Sequence, residues 1–226
     1  MPIDIEQFGK GALHEEDVRD FLAMGAAAYD WSKPYQFDVP LVVTDQGSSL
    51  SCVGQSASNM AKILHYKHRG TLEDFSARYV YSQIFIPVGG AYMRDGVDVV
   101  VKQGVSLNYT CPSTPNNEPS MRRLPDGASR AEAKTYDIYK DNKYALVPNM
   151  TIDGIAQAIV DNRCVMLGFN GSNEGWQTAD IQVSGAKWGH ACCAVAPVIR
   201  NGKPAIKFIN SWTKDWGDNG YGYANE

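Results

Sequence analysis

The fold is decided by residues 46–64, which read QGSSLSCVGQSASNMAKIL. The first part of this stretch is rich in glycine and serine, which is typical of a turn. From Cys52 onward the apolar residues recur with the period of a helix, at Val53, Ala57, Met60, Ala61 and Leu64. Ser51 is a candidate N-cap and Gly70 a candidate stop signal. The sequence therefore predicts a turn followed by a long helix that begins at Cys52.

Cys52 lies where a helix favours the ionised form of a thiol. The positive end of the helix dipole and the free N–H groups of the first turn stabilise the thiolate, which is the nucleophilic form. Gln46 precedes it on a turn that contains Gly47, and its side-chain amide could join the Cys52 backbone N–H in an oxyanion hole. Taken singly, a cysteine is more often a small buried hydrophobe, and a glutamine an ordinary loop residue.

Of the four histidines, His190 is the best candidate for a general base. It follows a glycine and opens an apolar run, so it would lie at the mouth of a strand, facing a nucleophile in the other half of the chain. His14 falls in an N-terminal helical pattern. His65 and His68 complement the dipole at the end of the long helix.

No metal site is predicted. His65 and His68 are three residues apart but lack a complementary group of ligands. Cys192 and Cys193 follow His190, yet alternate residues of a strand point to opposite faces, and no second pair is spaced to complete a tetrahedron. The two cysteines are therefore interpreted as buried structural residues.

A residue that orients His190 is expected at the end of a later strand. Asn210 lies in the run 208–212 (FINSW) and could accept a hydrogen bond from the Nδ1–H group of His190. Trp212 and Trp216 would shield that hydrogen bond from water. The alternative for Asn210 is an Asx turn at the strand end.

The rest of the chain divides into a helical first half and a β-rich second half. Prolines cluster between Pro112 and Pro125, which marks the boundary. Periodicity and capping residues predict helices at 14–28, 76–85, 95–104 and 151–161. The second starts at Ser76, and Asp95 and Thr151 are N-caps of the third and fourth. Apolar runs predict strands at 41–43, 163–169, 190–199 and 205–212. A cleft between two such halves is a usual place for a site.

Composition excludes several classes of partner. The 226 residues carry a net charge of −4, which offers no basic surface to nucleic acid or to an anionic membrane. No apolar run approaches the ~18 residues that a membrane-spanning helix needs. The N-terminus has no signal-peptide pattern, and five cysteines, an odd number, do not suggest a disulfide framework. A cytoplasmic location is therefore favoured.

Three blocks, in this order, resemble the papain-like cysteine peptidases. They are residues 46–52 (QGSSLSC), 189–191 (GHA) and 210–221 (NSWTKDWGDNGY). In that family the His and Asn follow the Cys by roughly 130–150 residues, and the intervals here are close to that, with the Asn slightly further along. Residues 29–32 (YDWS) resemble the mature N-terminus of the family. Gly89-Gly90 resembles the paired glycines that bind an extended substrate, so the resemblance covers about residue 29 to the end.

The chain departs from the family pattern at several positions. Ser49 replaces a cysteine, so the first disulfide of the family cannot form. Leu50 replaces a glycine, Val53 replaces an aromatic residue, and Gly189 replaces the Asp or Asn that precedes the histidine. Residues 1–28 are an additional segment, shorter than the full inhibitory propeptide of the family.

The resemblance implies an α+β fold of two lobes with the active-site cleft between them. Residues 1–28 would form a helical N-terminal extension. Residues 29–112 would form the helical lobe that carries the nucleophile, and residues 113–226 the β-rich lobe that carries the base and the orienting asparagine.

The resemblance also implies a cysteine peptidase that hydrolyses peptide bonds through a thioester on Cys52. His190 would act as general base and then as acid, Asn210 would orient it, and Gln46 would help to bind the oxyanion. The Cys52–His190 ion pair would lower the pKa of the thiol below its free value of ~8.5.

The substrate contacts are assigned in the same way. Gly89 and Gly90 would contact the acyl side of a substrate, Trp212 the leaving-group side, and Gly189 would line the same cleft. No metal or organic cofactor is implied. The expected partners are a peptide or protein substrate and an inhibitory pro-segment or protein inhibitor.

Two alternatives stay open at this point. One is an amidase, isopeptidase or acyltransferase of the same fold that acts on a non-protein or cell-wall substrate. The other is a binding module that keeps the cleft without the chemistry, which the substitutions at Leu50 and Val53 motivate. The presence of all four catalytic residue types argues against the second alternative.

Overall fold

The computed structural model describes residues 3–13, 28–137, 144–145, 147, 151–161, 164–182, 185 and 187–225. The helix predicted at 14–28, with His14, falls on residues outside this set except for its last residue. The helices are α1 (Cys52–Arg69), α2 (Ala77–Ile84), α3 (Met93–Gln103), α4 (Glu118–Met121), α5 (Gly127–Ala133) and α6 (Ile152–Val160). The strands are β1 (Ala12–Leu13), β2 (Ala91–Tyr92), β3 (Val165–Gly171), β4 (Trp188–Arg200), β5 (Lys203–Ile209) and β6 (Tyr221–Ala224). The fold is α+β, as predicted, because the helices precede the four-stranded sheet instead of alternating with its strands.

Helix α1 begins at Cys52 and ends at Arg69, as its sequence predicts. Gly70 closes it in the left-handed conformation, with φ of 73°, and donates its N–H to the Tyr66 carbonyl. Ser51 occupies the N-cap position but makes no side-chain capping bond. Its hydroxyl lies 2.7 Å from that of Ser49 instead.

The other predicted helices form close to their expected bounds. The side chain of Ser76 accepts the Tyr79 N–H at the start of α2, and that of Thr151 accepts the Gly154 N–H at the start of α6. Helix α3 starts two residues earlier than predicted, so Asp95 lies in its first turn and is not its cap. Among the described residues, no helix is both long and apolar enough to cross a membrane.

The main sheet is antiparallel, in the order β3-β4-β5-β6. His190 of β4 pairs with Phe169 of β3, and Cys193 pairs with Ile209 of β5. The register shifts between Ala194 and Ala196, so β4 carries a bulge in the middle of its length. The three strands predicted in this half are all present, with shifted ends.

The strand predicted at 41–43 is wrong. Residues 41–44 are irregular, and only Asp45 makes an isolated bridge, to Trp212. The pairing stops there because the chain turns away at Thr213, whose φ is +62°. Two backbone bonds flank the bridge, from Gln46 N–H to the Ser211 carbonyl and from Thr213 N–H to the Thr44 carbonyl. This short contact ties the turn before Cys52 to the end of β5.

Helix α1 joins the two lobes. All of its residues from Cys52 to Ile63 are buried, and Ala57 and Met60 pack in one apolar cluster with Cys193 and Val195 of β4. A second cluster lies on the other side of the sheet and contains Trp176, Phe208, Trp212 and Trp216. The packing of α1 against β4 brings the first residue of the helix to the start of the strand that carries His190.

Candidate active site

Cys52 is fully buried at the first turn of α1. It packs in an apolar cluster with Ala191, the residue that follows His190. Backbone N–H groups of Gly11, Ala191 and Val53 lie close enough to favour its thiolate. The candidate nucleophile therefore lies beside Ala191, the chain neighbour of the candidate base. Among the described residues, no hydrogen bond joins the Cys52 sulfur to His190 Nδ1. All five cysteines are free of disulfides.

His190 is held by Asn210 through the ring nitrogen Nε2, which donates to Asn210 Oδ1 at 2.8 Å. The sequence-based expectation of Nδ1 is wrong, although the partner residue is the expected one. The Ser211 N–H also donates to Asn210 Oδ1, at 2.8 Å, which fixes that atom as the oxygen of the amide. Within the described part of the chain, His190 Nδ1 is buried without a hydrogen-bond partner, so this nitrogen is available to a sulfur or a leaving group.

Indole rings surround His190. Trp212 lies against the imidazole, with the ring centroids 4.5 Å apart, and Trp176 meets it edge-on at 5.5 Å. Trp188 adds a third ring at 6.3 Å. These rings cover the hydrogen bond to Asn210 and set the orientation of the imidazole. Of the two tryptophans predicted to shield that bond, Trp212 contacts the imidazole, whereas Trp216 packs behind it on Trp176 and Trp212.

Gln46 is fully buried beside the turn that leads to Cys52. Its Oε1 accepts a hydrogen bond from the Ser211 hydroxyl, which leaves the Nε2 group of the amide as the donor on the other side. Nε2 donates to the carbonyl of Ser49 at 3.0 Å and to the carbonyl of Gly9 at 2.7 Å. The predicted oxyanion donor therefore already holds a peptide carbonyl, and that carbonyl comes from the N-terminal part of the same chain.

Residues 5–13, here called the N-terminal strap, lie along the junction between the two lobes. We call this junction the groove; it is lined by Gln46, Gly90, Gly189 and Trp212, which the strap contacts. Phe8 stacks on Trp212, with the ring centroids 5.6 Å apart and the planes 8° from parallel. Gly9 N–H donates to the Gly47 carbonyl at 3.1 Å. Lys10 places its ammonium group 5.5 Å from the centre of the Trp212 ring.

The far end of the strap pairs with a short strand next to the paired glycines. β1 lies parallel to β2, and the Ala91 N–H donates to the Gly11 carbonyl at 2.8 Å. A Cβ on Gly90 would collide with the Gly11 backbone, and a Cβ on Gly189 would collide with the Ala12 carbonyl. Gly90, Gly189 and Trp212, all predicted to bind substrate, are thus in contact with the strap. Gly89 lies one step away, under the side chain of Leu50.

Burial sets the pKa values of the two candidate catalytic groups, and the strap contributes to them through Gly11 and Lys10. Burial raises the pKa of the Cys52 thiol, against the opposing effect of the backbone N–H groups. Burial lowers the pKa of His190 to about 4; the hydrogen bond to Asn210 opposes the shift, and the charge of Lys10 adds to it. The shift of the Cys52 pKa is therefore opposite in direction to the one expected from the sequence, because burial outweighs the backbone N–H groups.

Sequence reasoning missed three residues that support the groove. Glu118 accepts the Leu50 N–H, the Tyr81 hydroxyl and the Arg122 Nε–H, each at 2.7 Å. Tyr81 in turn accepts the Gly90 N–H at 3.2 Å. One carboxylate thus connects the nucleophile turn to the paired glycines. The Asn117-Glu118-Pro119 run signals only a helix start, so nothing local predicts this role.

A search for metal ligands among the described residues finds no group of three His, Cys, Asp or Glu side chains that could hold an ion. His65, at the end of α1, lies against the rings of Phe75 and Tyr136. Cys192 and Cys193 are fully buried on β4, as interpreted from sequence.

Comparison with known proteins agrees with the α+β fold and identifies a family. A family model described as papain family cysteine protease matches residues 26–225. Xylellain, a cysteine protease from Xylella fastidiosa, superposes with a TM-score of 0.72 at 22% identity, over 96% of this chain and 89% of that one. Digestive procathepsin L 3 from Tenebrio molitor larval midgut gives 0.69 at 16% identity, over 96% and 70%. The Carica candamarcensis cysteine protease CMS1MS2, solved with E-64, gives 0.61 at 18%, over 82% and 83%. A search of curated proteins returned no match.

Proposed function

This chain belongs to the papain family of cysteine proteases, and we propose that it is a cysteine peptidase kept latent by its own N-terminal strap. The observation that carries the proposal is the Gly9 carbonyl, which accepts a hydrogen bond from the Gln46 amide at 2.7 Å. A peptide carbonyl thus occupies the donor that the reaction needs for its oxyanion.

Acylation begins when the Cys52 sulfur attacks the carbonyl carbon of the scissile peptide bond. The thiol proton passes to His190 Nδ1, the nitrogen that Asn210 leaves available, and the negative charge moves to the carbonyl oxygen beside Gln46. The tetrahedral intermediate then breaks its C–N bond. The proton on His190 goes to the departing amine, and a thioester remains on Cys52.

Deacylation repeats these steps with water as the nucleophile. Water attacks the thioester carbon while His190 takes one of its protons. The C–S bond breaks, the acid product leaves, and the proton on His190 neutralises the Cys52 thiolate. Asn210 stabilises the imidazolium in both halves by accepting the Nε2–H bond. The peptide substrate and one water molecule are the only reactants that these steps need besides the chain's own residues.

Latency follows from the direction of the strap. A substrate would place the residues N-terminal to its scissile bond against Gly89 and Gly90, and the residues C-terminal to it against Trp212. The strap runs the other way, with Phe8 on Trp212 and Gly11 on the glycine side. The strap's peptide bonds therefore run in the opposite direction to those of a substrate, so the strap blocks the groove but is a poor substrate for the sulfur.

Covalent labelling tests the proposal directly. E-64, the inhibitor bound in the Carica candamarcensis structure, should form one adduct per chain, located at Cys52 by peptide mass spectrometry. The adduct should be absent from Cys52→Ala, which should also lose peptide hydrolysis by roughly 10⁴-fold or more. Labelling should be slow while the strap is in place, because burial raises the pKa of the Cys52 thiol.

The matched control is Cys164→Ala. Cys164 is only partly buried and its pKa is raised to about 12 by burial. This variant should label and cleave like the parent chain. Adducts spread over Cys164 or the other thiols, with Cys52 unmodified, would reject Cys52 as the nucleophile.

A further inference from the structure

The groove beside Cys52 has no room for a side chain on the strap residue that lies there. Gly11 of the strap lies there, with its N–H close to the Cys52 sulfur. A Cβ built on Gly11 would lie 2.5 Å from the Leu50 carbonyl oxygen, 2.7 Å from Leu50 Cβ and 2.8 Å from Gly90 Cα. These separations are well inside van der Waals contact, so the strap fits at this point only because the residue is glycine.

We infer that Leu50 is a specificity-determining residue that restricts the acyl residue of the substrate to glycine. The inference rests on the proposed peptidase function and adds its substrate class. The acyl residue is the one whose carbonyl carbon must bond to the Cys52 sulfur. Its Cα must therefore pass beside the sulfur, in the space that Gly11 fills in this structure. Its side chain must then pass between Leu50 and the paired glycines, where Leu50 Cδ1 already covers Gly89.

Leu50 cannot easily move aside. Its N–H is held by Glu118 at 2.7 Å, and its side chain packs on the apolar cluster that contains Cys52 and Met121. Its Cδ1 lies directly over Gly89, where a Cβ would collide with it. Leu50 and the paired glycines therefore form one continuous wall.

Gly90, at the other end of this wall, is held by the same hydrogen-bond network around Glu118. Gly90 donates its N–H to the Tyr81 hydroxyl at 3.2 Å, and that hydroxyl donates to Glu118. Ile86 N–H also holds the Gly90 carbonyl, at 3.0 Å. Widening the groove would therefore break several buried hydrogen bonds, which makes a collision with a substrate Cβ costly.

The substitution noted in the sequence explains why the restriction is specific to this chain. Leu50 stands where the resembling family has glycine, so this chain adds a branched side chain to that wall. One extra methyl group in a close-fitting site changes kcat/KM by roughly 10–200-fold. A preference of that size for glycine over alanine is expected here.

The test uses full-length chain carrying Phe8→Ala, which removes the strap's ring from Trp212 without touching Leu50. Four fluorogenic peptide amides would differ only in the acyl residue, as Gly, Ala, Leu or Arg. The kcat/KM for Gly should exceed that for Ala by roughly 10–200-fold. In Leu50→Gly made in the same background, this ratio should fall at least about tenfold because the rate for the Ala peptide rises.

Two further variants protect the conclusion. Leu50→Ala keeps Cβ and removes the rest of the side chain, so it should give an intermediate ratio even where glycine would loosen the turn. Val88→Ala changes a side chain that is 86% exposed next to Gly89 and should leave the ratio unchanged.

The possible failures are distinguishable. If E-64 does not modify Cys52 and no peptide is cleaved, the peptidase proposal itself fails. If peptides are cleaved but Ala, Leu or Arg is used as well as Gly, the specificity inference alone is overturned. The same holds if the Gly preference is present but survives unchanged in Leu50→Gly.

Discussion

The two walls of the groove are built in different ways. The wall that carries Cys52 is held by hydrogen bonds between side chains and its backbone. The Gln46 amide and the Ser49 hydroxyl donate to backbone carbonyls, and the Glu118 carboxylate accepts the Leu50 N–H. The wall that carries His190 is held by packed indole rings, with one hydrogen bond to Asn210 at its centre. The difference follows from the elements involved. A turn exposes backbone N–H and carbonyl groups that must be paired, whereas a strand pairs its own backbone and fixes its side chains by packing.

This comparison predicts that removing side-chain volume lowers the free energy of unfolding more in the wall that carries His190 than in the wall that carries Cys52. Trp212→Ala should lower the free energy of unfolding by about 3–5 kcal/mol, because Trp212 is fully buried among aromatic rings. Urea denaturation followed by circular dichroism measures this. Trp188→Ala is the matched control and should cost less, since Trp188 is only partly buried. Equal costs would show that packing around His190 is not the main support of that wall.

On the Cys52 wall, Gln46→Ala should act on the reaction rather than on binding. Loss of one oxyanion donor lowers kcat by about 10²–10³-fold. The pH profile of the remaining activity should keep its shape, because Gln46 does not titrate.

Asn210→Ala should also lower kcat but should move the limb of the pH profile that reports His190, since it removes the hydrogen bond that favours the charged imidazole. Identical pH profiles for the two variants would contradict these separate roles.

Phe8→Ala tests whether the strap depends on the indole wall. The stacked pair contributes about 0.5–1.5 kcal/mol beyond its buried area. Its loss should therefore increase both the E-64 labelling rate and peptide hydrolysis by roughly tenfold. Leu13→Ala is the comparison variant, at a partly buried strap residue away from Trp212. Activation by Leu13→Ala but not by Phe8→Ala would place the main anchor of the strap at the β1–β2 end.

The smallest effect is expected from a polar pair on the β-rich lobe outside the groove. Arg200 makes two bonds to the Asp180 carboxylate, at 2.8 and 3.0 Å, and these lower the pKa of Asp180. Both side chains are partly exposed, so Asp180→Asn should cost no more than about 1 kcal/mol of unfolding free energy.

The pH dependence of that cost has a definite sign. The folded-state pKa of Asp180 is below its unfolded value near ~3.9, so its contribution is complete above that value and is lost as the pH falls through the folded pKa. The difference between the parent and Asp180→Asn should therefore be present at pH 7 and shrink below about pH 4. A difference that grows in acid would contradict the assignment.

What the sequence could predict was local. The bounds of α1, the cap at Thr151, and the identity of Asn210 as the partner of His190 all follow from residues close together or from recognisable blocks. The ring nitrogen used by His190 could not be predicted, because it depends on how Trp176 and Trp212 pack around the imidazole.

Contacts between segments far apart in the sequence could not be predicted either. Glu118 approaches Leu50 only after the helical lobe has folded, and no pattern near either residue announces the contact. The position of the strap depends on Gly9 and Gly11 meeting residues much later in the chain. Those two glycines are the only local sign of it, and alternating glycines have many other uses.

The covalent attachment of the strap has a kinetic consequence. A segment tethered to its own binding site is present there at an effective concentration on the order of millimolar, however dilute the protein is. A diffusing substrate at micromolar levels competes poorly with it. One cut in the chain after the strap would turn it into an ordinary dilute ligand that is lost on release. Activation would then proceed in one direction only, because the released strap is too dilute to return to its site.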